Sequence, residues 1–320
     1  MTYVQNDHYE LLARVADLYY KQEKTQAEIA RLFDVSRSSI SRLLTEARDR
    51  GVVEIQINYP VRRDRELENL IRGRFGLKAV YILDARQIPV EQQLQHIGRL
   101  AAKHLENRLR PDLVLGLSWG TAVYETVRHL RRHLLPHMQV VQFIGAIGRG
   151  NRLIDGPELA RQVAETVGAQ HHYLHAPLIV ASPGACESLL AERAVADVLS
   201  LARTADVALV GIGSTDPSIS SLIRAGYLTE SELYRIEEQG AVGDICARHF
   251  DISGNILDIG INRRVVGISP QDLQSIPEVI GVAGGDLKAP AILGALCGRL
   301  INVLVTDNVS AGKVLQLADG

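Results

Sequence analysis

No run in the 320-residue chain approaches the ~20 consecutive apolar residues that a membrane-spanning helix needs. The start, Met1 to Glu10, is polar and lacks the apolar stretch of a secretory signal. Cysteine is scarce. Cys186, Cys246 and Cys297 lie far apart and show no CxxC spacing, which predicts reduced thiols in a cytoplasmic protein and neither a disulfide frame nor a zinc site. Excess charge of one sign is missing as well: 35 Lys and Arg stand against 37 Asp and Glu, a formal net charge of −2. A uniformly basic nucleic-acid binder is thereby excluded, and any DNA-binding surface must be local. Neither a Walker A motif nor a GxGxxG fingerprint occurs, so nucleotide binding is not indicated.

What is present is ordinary for a globular chain, 46% hydrophobic and 22% charged, long enough for two domains. The first is expected over residues 1–58 and the second over 59–320. Three helical patterns precede residue 50. Leu11, Leu12, Val15, Leu18 and Tyr19 make one apolar stripe; Thr25 with Glu28 three residues on is a capping box ahead of Ile29, Ala30 and Phe33; Ser36 caps a third helix whose Ile40, Leu43, Leu44 and Ala47 face inward, and Gly51 stops it. Helix, short turn Asp34-Val35-Ser36, helix is helix-turn-helix spacing. Residues 1–60 carry eight Lys/Arg against nine Asp/Glu, yet residues 36–50 carry four Arg against Glu46 and Asp49. Arg37, Ser38, Ser39 and Arg42 lie on the outer side of the third helix near its start, where a recognition helix meets base edges, and Thr25 and Gln26 are placed to touch phosphate. So small a basic patch makes few phosphate contacts, which implies an oligomer on repeated half-sites of double-stranded DNA.

Val52 to Ile57 alternates like a short strand broken by Pro60, and the charged segment Arg62 to Arg74 reads as a helical, solvated linker. Beyond it, apolar runs at 80–83, 113–117, 140–143, 172–180, 207–210, 279–282 and 303–306 alternate with helical patterns near 91–107, 120–132, 157–167, 187–202, 289–300 and 308–317. That alternation predicts an α/β domain with a doubly wound, mostly parallel sheet. Ligands of such sheets bind at the carboxyl ends of strands, and glycine is concentrated there. Gly116, Ser118, Trp119, Gly120 and Thr121 form one cluster, Gly145 with Gly148 a second, Gly211 with Gly213 a third, and Gly284-Gly285-Asp286-Leu287-Lys288 a fourth. Glycine admits close backbone approach to an anion, the hydroxyls can donate, and Lys288 can neutralise a phosphate or hold a sugar hydroxyl. A phosphorylated or polyhydroxy small molecule is the expected effector.

These segments resemble the SorC family of bacterial sugar-responsive regulators over nearly the whole chain. The resemblance rests on Thr25-Gln26-Ala27-Glu28-Ile29-Ala30, Ser39-Ile40-Ser41-Arg42-Leu43-Leu44, Gly116-Leu117-Ser118-Trp119-Gly120, Gly211-Ile212-Gly213, Gly243-Asp244-Ile245-Cys246, Arg248-His249-Phe250-Asp251, Gly284-Gly285 and Val303-Leu304-Val305-Thr306-Asp307. It implies an effector domain folded like sugar-phosphate isomerases of the glucosamine-6-phosphate deaminase type, a tetramer at an operator near a sugar-utilisation operon, and effector contacts at Ser118 to Thr121, Asp244 and Lys288. Two departures stand out. Ile144 occupies the place before Gly145 where some relatives carry a basic residue, which argues against a second phosphate or a covalent imine there, and Arg149 to Pro157 differs from the usual pattern.

An isomerase-like sheet also admits an enzyme. Gly213-Ser214-Thr215-Asp216 falls where such enzymes carry a catalytic acid, but Pro217, Ser218 and Ile219 follow, with no nearby His to open a sugar ring. A DNA-binding regulator without catalysis, cofactor or metal is therefore the expectation, and a sugar-phosphate isomerase with an appended DNA-binding module is the alternative. His129, His133 and His137 are spaced like ligands, but Pro136 intervenes and no carboxylate is in register, so exposed helix-end histidines are expected. Cys246 is expected as a small buried apolar residue.

Overall fold

A computed structural model describes residues 3–53, 61–148 and 151–320. Its contacts divide into two compact units, Met1–Pro60 and Val61–Gly320. The first holds helices α1 (Tyr3–Tyr20), α2 (Gln26–Leu32) and α3 (Arg37–Asp49). Val15, Ile29, Ala30, Ile40 and Leu44 close one apolar cluster between them, and Leu12, Ala16 and Ala47 a second. The turn from α2 to α3 is tight because Asp34 takes a left-handed φ of 52° and the Val35 N–H returns to the Ala30 carbonyl. Gly51, at φ 71°, follows the end of α3. Most of the strand expected over Val52 to Ile57, its Pro60 stop and the expected 58/59 boundary fall outside the described residues, as does Arg149 at the start of the departing segment.

The second unit runs α4 (Arg65–Phe75), β1 (Ala79–Leu83), α5 (Val90–Glu106), β2 (Val114–Leu117), α6 (Thr121–Val127), β3 (Gln139–Gln142), α7 (Gly156–Val167), β4 (Gln170–His172), α8 (Pro183–Ala191), α9 (Arg193–Arg203) and β5 (Val207–Gly211). It continues with β6 (Gly213–Ser214), α10 (Ser221–Arg224), α11 (Glu230–Glu237), β7 (Ala241–Ile245), β8 (Arg248–Asp251), α12 (Pro270–Ser275), β9 (Glu278–Val282), α13 (Ala289–Cys297), β10 (Val303–Asp307) and α14 (Asn308–Asp319). Seven strands form one sheet in the order β1-β10-β9-β5-β2-β3-β4, every pair parallel. From β2 the chain winds outward through β3 and β4. From β5 it winds the other way. The order therefore reverses between β2 and β5, which opens a crevice at their carboxyl ends.

Both faces of the sheet are covered, so both sets of alternating side chains are apolar. Leu115, Leu117, Val207, Leu209, Ile280, Val282, Val303 and Val305 meet α5, α6 and α7; Ala208, Val210, Val279 and Leu304 share a core with residues of α4, α9, α13 and α14. Gly116 stands where this second face has no room. A Cβ there would fall 1.7 Å from the Phe143 ring, so the ring fills the space of the missing side chain.

Several expectations need correcting. The segment expected as a solvated linker is part of the sheet's edge: Glu68 of α4 is buried, accepts both Nε and Nη2 of Arg63 at 2.6 and 2.7 Å, and takes the Ile82 N–H of edge strand β1 at 3.0 Å. A carboxylate that caps an exposed strand edge looks like a surface residue in a charge pattern. The expected strand over 172–180 ends at His172, because Pro177 lacks an N–H and the Ala176 N–H turns back to Leu174; single bridges to Ala146 and Val265 take its place. The helix expected over 120–132 stops at Val127, since His133 and Leu135 give their N–H groups to the C-terminal carbonyls of α7. The helix expected over 187–202 is two, broken at Glu192 in extended conformation. His129 is half-buried with Nδ1 2.7 Å from the Glu125 carbonyl, whereas His133 and His137 are exposed. The antiparallel sheet β6-β7-β8 was not anticipated.

Gly116→Ala is expected to destabilise the chain by about 1–3 kcal/mol through overpacking. Combined with Phe143→Leu it should cost less than the two single changes summed, by urea unfolding. Strictly additive costs would show that the ring does not occupy that space.

Candidate effector cleft and DNA-reading helix

The two capped helices of the first unit are locally self-sufficient. The Thr25 hydroxyl accepts from the Glu28 N–H at 3.3 Å, and the Glu28 carboxylate accepts from the Thr25 N–H at 2.8 Å, a complete capping box. The Thr25 N–H foremost, and the Thr25 hydroxyl donating at 2.7 Å, hold the Glu28 carboxyl below the usual range. Ser36 caps α3 by accepting from the Ser39 N–H at 3.1 Å, and its hydroxyl lies 2.7 and 2.8 Å from those of Ser38 and Ser39. Arg37, Ser38 and Arg42 are exposed, Thr25 is exposed and Gln26 half-buried. Among the described residues Arg37 and Arg42 make no ion pair, whereas Arg50 is held by Glu46 at 2.7 Å. Arg48, in the last turn of α3, reaches only the Thr45 hydroxyl at 3.5 Å, so Arg37 and Arg42 are the unpaired cations of the helix's N-terminal half, the end that a recognition helix turns to base edges.

In the second unit a cleft opens at the crevice between the carboxyl ends of β2 and β5. Ser118, Trp119, Gly120 and Thr121 line it from the β2 side, Gly211, Ile212 and Gly213 from β5, Asp244 and Cys246 from β7 and its turn, and Gly284 and Lys288 from the segment after β9; Leu94 of α5 and Ser221 of α10 are also among the lining residues. The Ser118 hydroxyl accepts from the Gly211 N–H at 3.3 Å, tying the two strand ends together. Gly120 has φ 117° and leads into α6, and its N–H bonds the Ile154 carbonyl at 3.0 Å.

The charged groups come from segments distant in sequence. Lys288 donates Nζ to the Ile212 carbonyl at 2.8 Å. Burial pushes its ammonium down to about 8, with Asp244 pulling it back up and Arg224 adding to the fall. Burial likewise raises the Asp244 carboxyl, against the pull of His249, Lys288 and the Ala247 N–H. A Cβ on Gly213 would lie 1.8 Å from Asp244 Oδ1, so only glycine leaves the carboxylate its place. Cys246 and Ala247 take left-handed φ of 51° and 60° in the two-residue turn from β7 to β8. Burial lifts the Cys246 thiol to about 12, so it faces the cleft as a neutral group. His249 behind it is buried and pushed down by burial, its Nδ1 3.3 Å from Asn262 Oδ1.

The cleft thus offers one ammonium donor, one carboxylate acceptor, hydroxyls and apolar walls, a set suited to holding a polyhydroxy ligand. Three glycines expected there do not line it. Gly116 serves the Phe143 ring, and Gly145 lets the backbone pass Pro177, whose carbonyl a Cβ would meet at 2.3 Å. Gly285 gives its N–H to the buried Asp307 carboxylate at 2.7 Å, and its neighbour Gly284 lines the cleft instead. Asp216 turns away to its own loop, accepting from the Ser218 N–H at 2.9 Å and hydroxyl at 2.5 Å. Leu94 and Ser221 carry no motif; their only signal is tertiary.

Residues 59–316 match the family described as "Putative sugar-binding domain", and residues 13–50 match "Sigma-70, region 4", a helix-turn-helix. The chain is 36% identical over 313 residues to the transcriptional regulator LsrR of Enterobacter sp. (strain 638), covering 97% of this chain and 94% of that one. It is 33% identical to the sorbitol operon regulator of Klebsiella pneumoniae, covering 97% and 99%. The crystal structure of full-length SorC from Klebsiella pneumoniae superposes with a TM-score of 0.74 at 32% identity, covering 96% of this chain and 98% of that one. These relatives are regulators of transcription and not enzymes, which sets the isomerase alternative aside. A helix-turn-helix ahead of a sugar-binding α/β domain, matched over nearly its full length, makes this chain a member of the SorC family of sugar-binding transcriptional regulators.

Proposed function

We propose that the chain acts in the cytoplasm as a homotetramer that reads operator DNA through α3 and is switched by a sugar held in the cleft at the β2/β5 crevice. In this reading residues 1–58 are the DNA-reading module and 59–320 the effector and oligomerisation module. The observation that carries it is the meeting of Lys288 and Asp244, 44 positions apart, in one cleft at the point where strand order reverses. Lys288 donates to a ligand oxygen, Asp244 accepts from sugar hydroxyls, and Trp119 packs against the ring. Ser118, Gly120, Thr121, Gly211 and Gly213 shape the walls. On DNA, Arg37 and Arg42 reach base edges, Ser38 and Ser39 add hydroxyl contacts, and Thr25, Gln26 and Ser36 face phosphate. The effector controls transcription only if it binds one arrangement of the oligomer better than another.

Trp119 is the sole tryptophan, so its emission reports the cleft directly. Titrating a panel of sugars and sugar phosphates should give saturable changes for one or a few, and the same compounds should alter operator binding. A panel that moves neither quantity overturns the placement. Binding should also weaken as pH rises through about 8, where the Lys288 ammonium loses its proton, by up to about tenfold per pH unit. Lys288→Met should bind more weakly with that pH dependence gone; a dependence that survives the substitution assigns it elsewhere.

Arg42→Ala should cost about 1–3 kcal/mol in operator binding and relax specificity at one base position. The thermal midpoint should be unchanged, since Arg42 is exposed and unpaired among the described residues. Wild-type affinity in a gel-shift assay at matched salt rejects α3 as the reading helix.

A further inference from the structure

The segment that carries Lys288 is gripped from behind. Gly285 opens it at φ 95° and donates its N–H to Asp307 Oδ2 at 2.7 Å. The Gly285 carbonyl accepts the Lys288 N–H at 2.9 Å and the Ser310 hydroxyl at 3.0 Å. The Ser310 N–H donates to Asp307 Oδ1 at 2.7 Å, and both of these residues are fully buried. Gly284 leaves no slack, since a Cβ there would fall 2.3 Å from Ile97 Cδ1 and 2.8 Å from Asp307 Oδ2. The junction of β10 and α14 therefore backs the cleft wall. It also reaches the edge of the sheet. The β1–β10 ladder ends at Leu83 opposite Asp307, and beyond it Asn308 accepts the Ala85 N–H through Oδ1 at 2.9 Å. The outer side of the same end of β1 holds residues 61–64. There the Asp84 N–H bonds the Arg62 carbonyl and the Asp64 N–H the Ile82 carbonyl, each at 2.9 Å, and Arg63 bridges Leu83 antiparallel. Those residues follow directly on Pro60, where the first unit ends.

We infer that the β10–α14 junction carries effector control from the cleft to the strip at residues 61–64, with Asn308 as the coupling residue. This rests on the cleft being the effector site. A ligand oxygen that takes the Lys288 ammonium draws it from the Ile212 carbonyl. Gly285 cannot follow Lys288 alone, because parting from Asp307 or Ser310 leaves buried polar groups without partners. The junction moves with it, and the ligand acts by favouring one position of the junction over another. The strand ladder keeps its register, so the displacement is felt past its end, where the Asn308 amide holds the Ala85 N–H next to Asp84. From there one backbone hydrogen bond leads to Arg62 and so to the chain that enters the first unit. The other polar walls of the cleft turn inward. Ser118 ties to Gly211 within the sheet, and the Asp244 hairpin closes on Asn262, which accepts the His249 N–H at 2.8 Å.

The test uses the full chain, operator DNA and a panel of pentoses, hexoses, alditols and their phosphate esters, with Trp119 emission as the report of binding. For each compound that binds, the change it makes in operator affinity is a coupling ratio, and operator DNA must change the Kd of that compound by the same ratio. Asn308→Ala should bring the ratio toward one by roughly fivefold, the worth of one hydrogen bond. The Kd of the compound for the DNA-free chain should stay as in the wild type, because Asn308 is not among the lining residues. Asn308→Asp keeps the acceptor and should keep the ratio. Val309→Ala, at the exposed next position of α14, should leave it unchanged. Ser310→Ala should lower the ratio as well, and adding Asn308→Ala should lower it little further, as expected of links in series. Ser310→Ala also carries the test should Asn308→Ala fail to fold. A wild-type ratio in folded Asn308→Ala, a Kd that rises as much as the ratio falls, or an equal loss in Val309→Ala overturns the coupling role while the effector cleft stands. Strictly additive losses reject the series. If no compound moves Trp119 in the wild type, the effector site and the coupling role fall together.

Discussion

A parallel sheet covered on both faces must satisfy its backbone within the sheet plane, and side chains take over at its edges, as Glu68 does at β1, and where neighbouring strands part. Here that place is the end of β5. Beyond Leu209 the strand loses β2, and the Ile212 carbonyl bonds the Lys288 ammonium at 2.8 Å. The Gly211 N–H turns to the Ser118 hydroxyl. The polar groups of the cleft are thus the remainder of the sheet's own hydrogen bonding, gathered at the one point where strand order reverses. A ligand oxygen that competes for Lys288 also competes for a bond that helps close the sheet, so occupancy bears on the fold around the crevice.

The electrostatics of the site follow from the same burial. Lys288 and Asp244 are each pushed toward neutrality by loss of water, and each partly restores the other's charge. Such a pair gains little when alone, because desolvation offsets much of the attraction. A polyhydroxy ligand can supply the missing partners to both. The turn that brings Asp244 into place is strained: two consecutive non-glycine residues, Cys246 and Ala247, hold left-handed conformations that cost of order 1–3 kcal/mol each. Packing of the buried Cys246, Ala247 and Phe250 holds that turn. The carboxylate is presented by a rigid hairpin while the ammonium comes from the segment after β9. A ligand touching both therefore bridges the β7-β8 hairpin and the segment after β9.

How much of this was legible in the sequence depends on the range of the interactions involved. The helix-turn-helix was written locally: Thr25 with Glu28, Ser36 and Gly51 each act within a few residues, and the structure keeps their roles. The core strands showed through because both faces are apolar, which leaves uninterrupted runs such as Val207 to Val210. Elements held by distant partners did not show. Glu68 reads as solvated until β1 is seen beside it, the run after His172 reads as strand until Pro177 is weighed, and the β6-β7-β8 sheet is too short and glycine-rich to announce itself. Ser221 belongs to a four-residue helix with no motif, and only the folded chain brings it to the cleft.

Glycine shows why motif reading stops where it does. At Gly213 the missing side chain makes room for the Asp244 carboxylate; at Gly116 it makes room for a phenyl ring; at Gly145 it makes room for passing backbone. All three sit at or just beyond strand ends, and all three sit in runs that invite the same reading. The difference lies in what occupies the vacated space, which is a property of residues 25 or more positions away: Asp244, Phe143 and Pro177. A glycine at a strand end is evidence of close approach, and the chemistry of the approaching group decides whether that approach serves packing or binding.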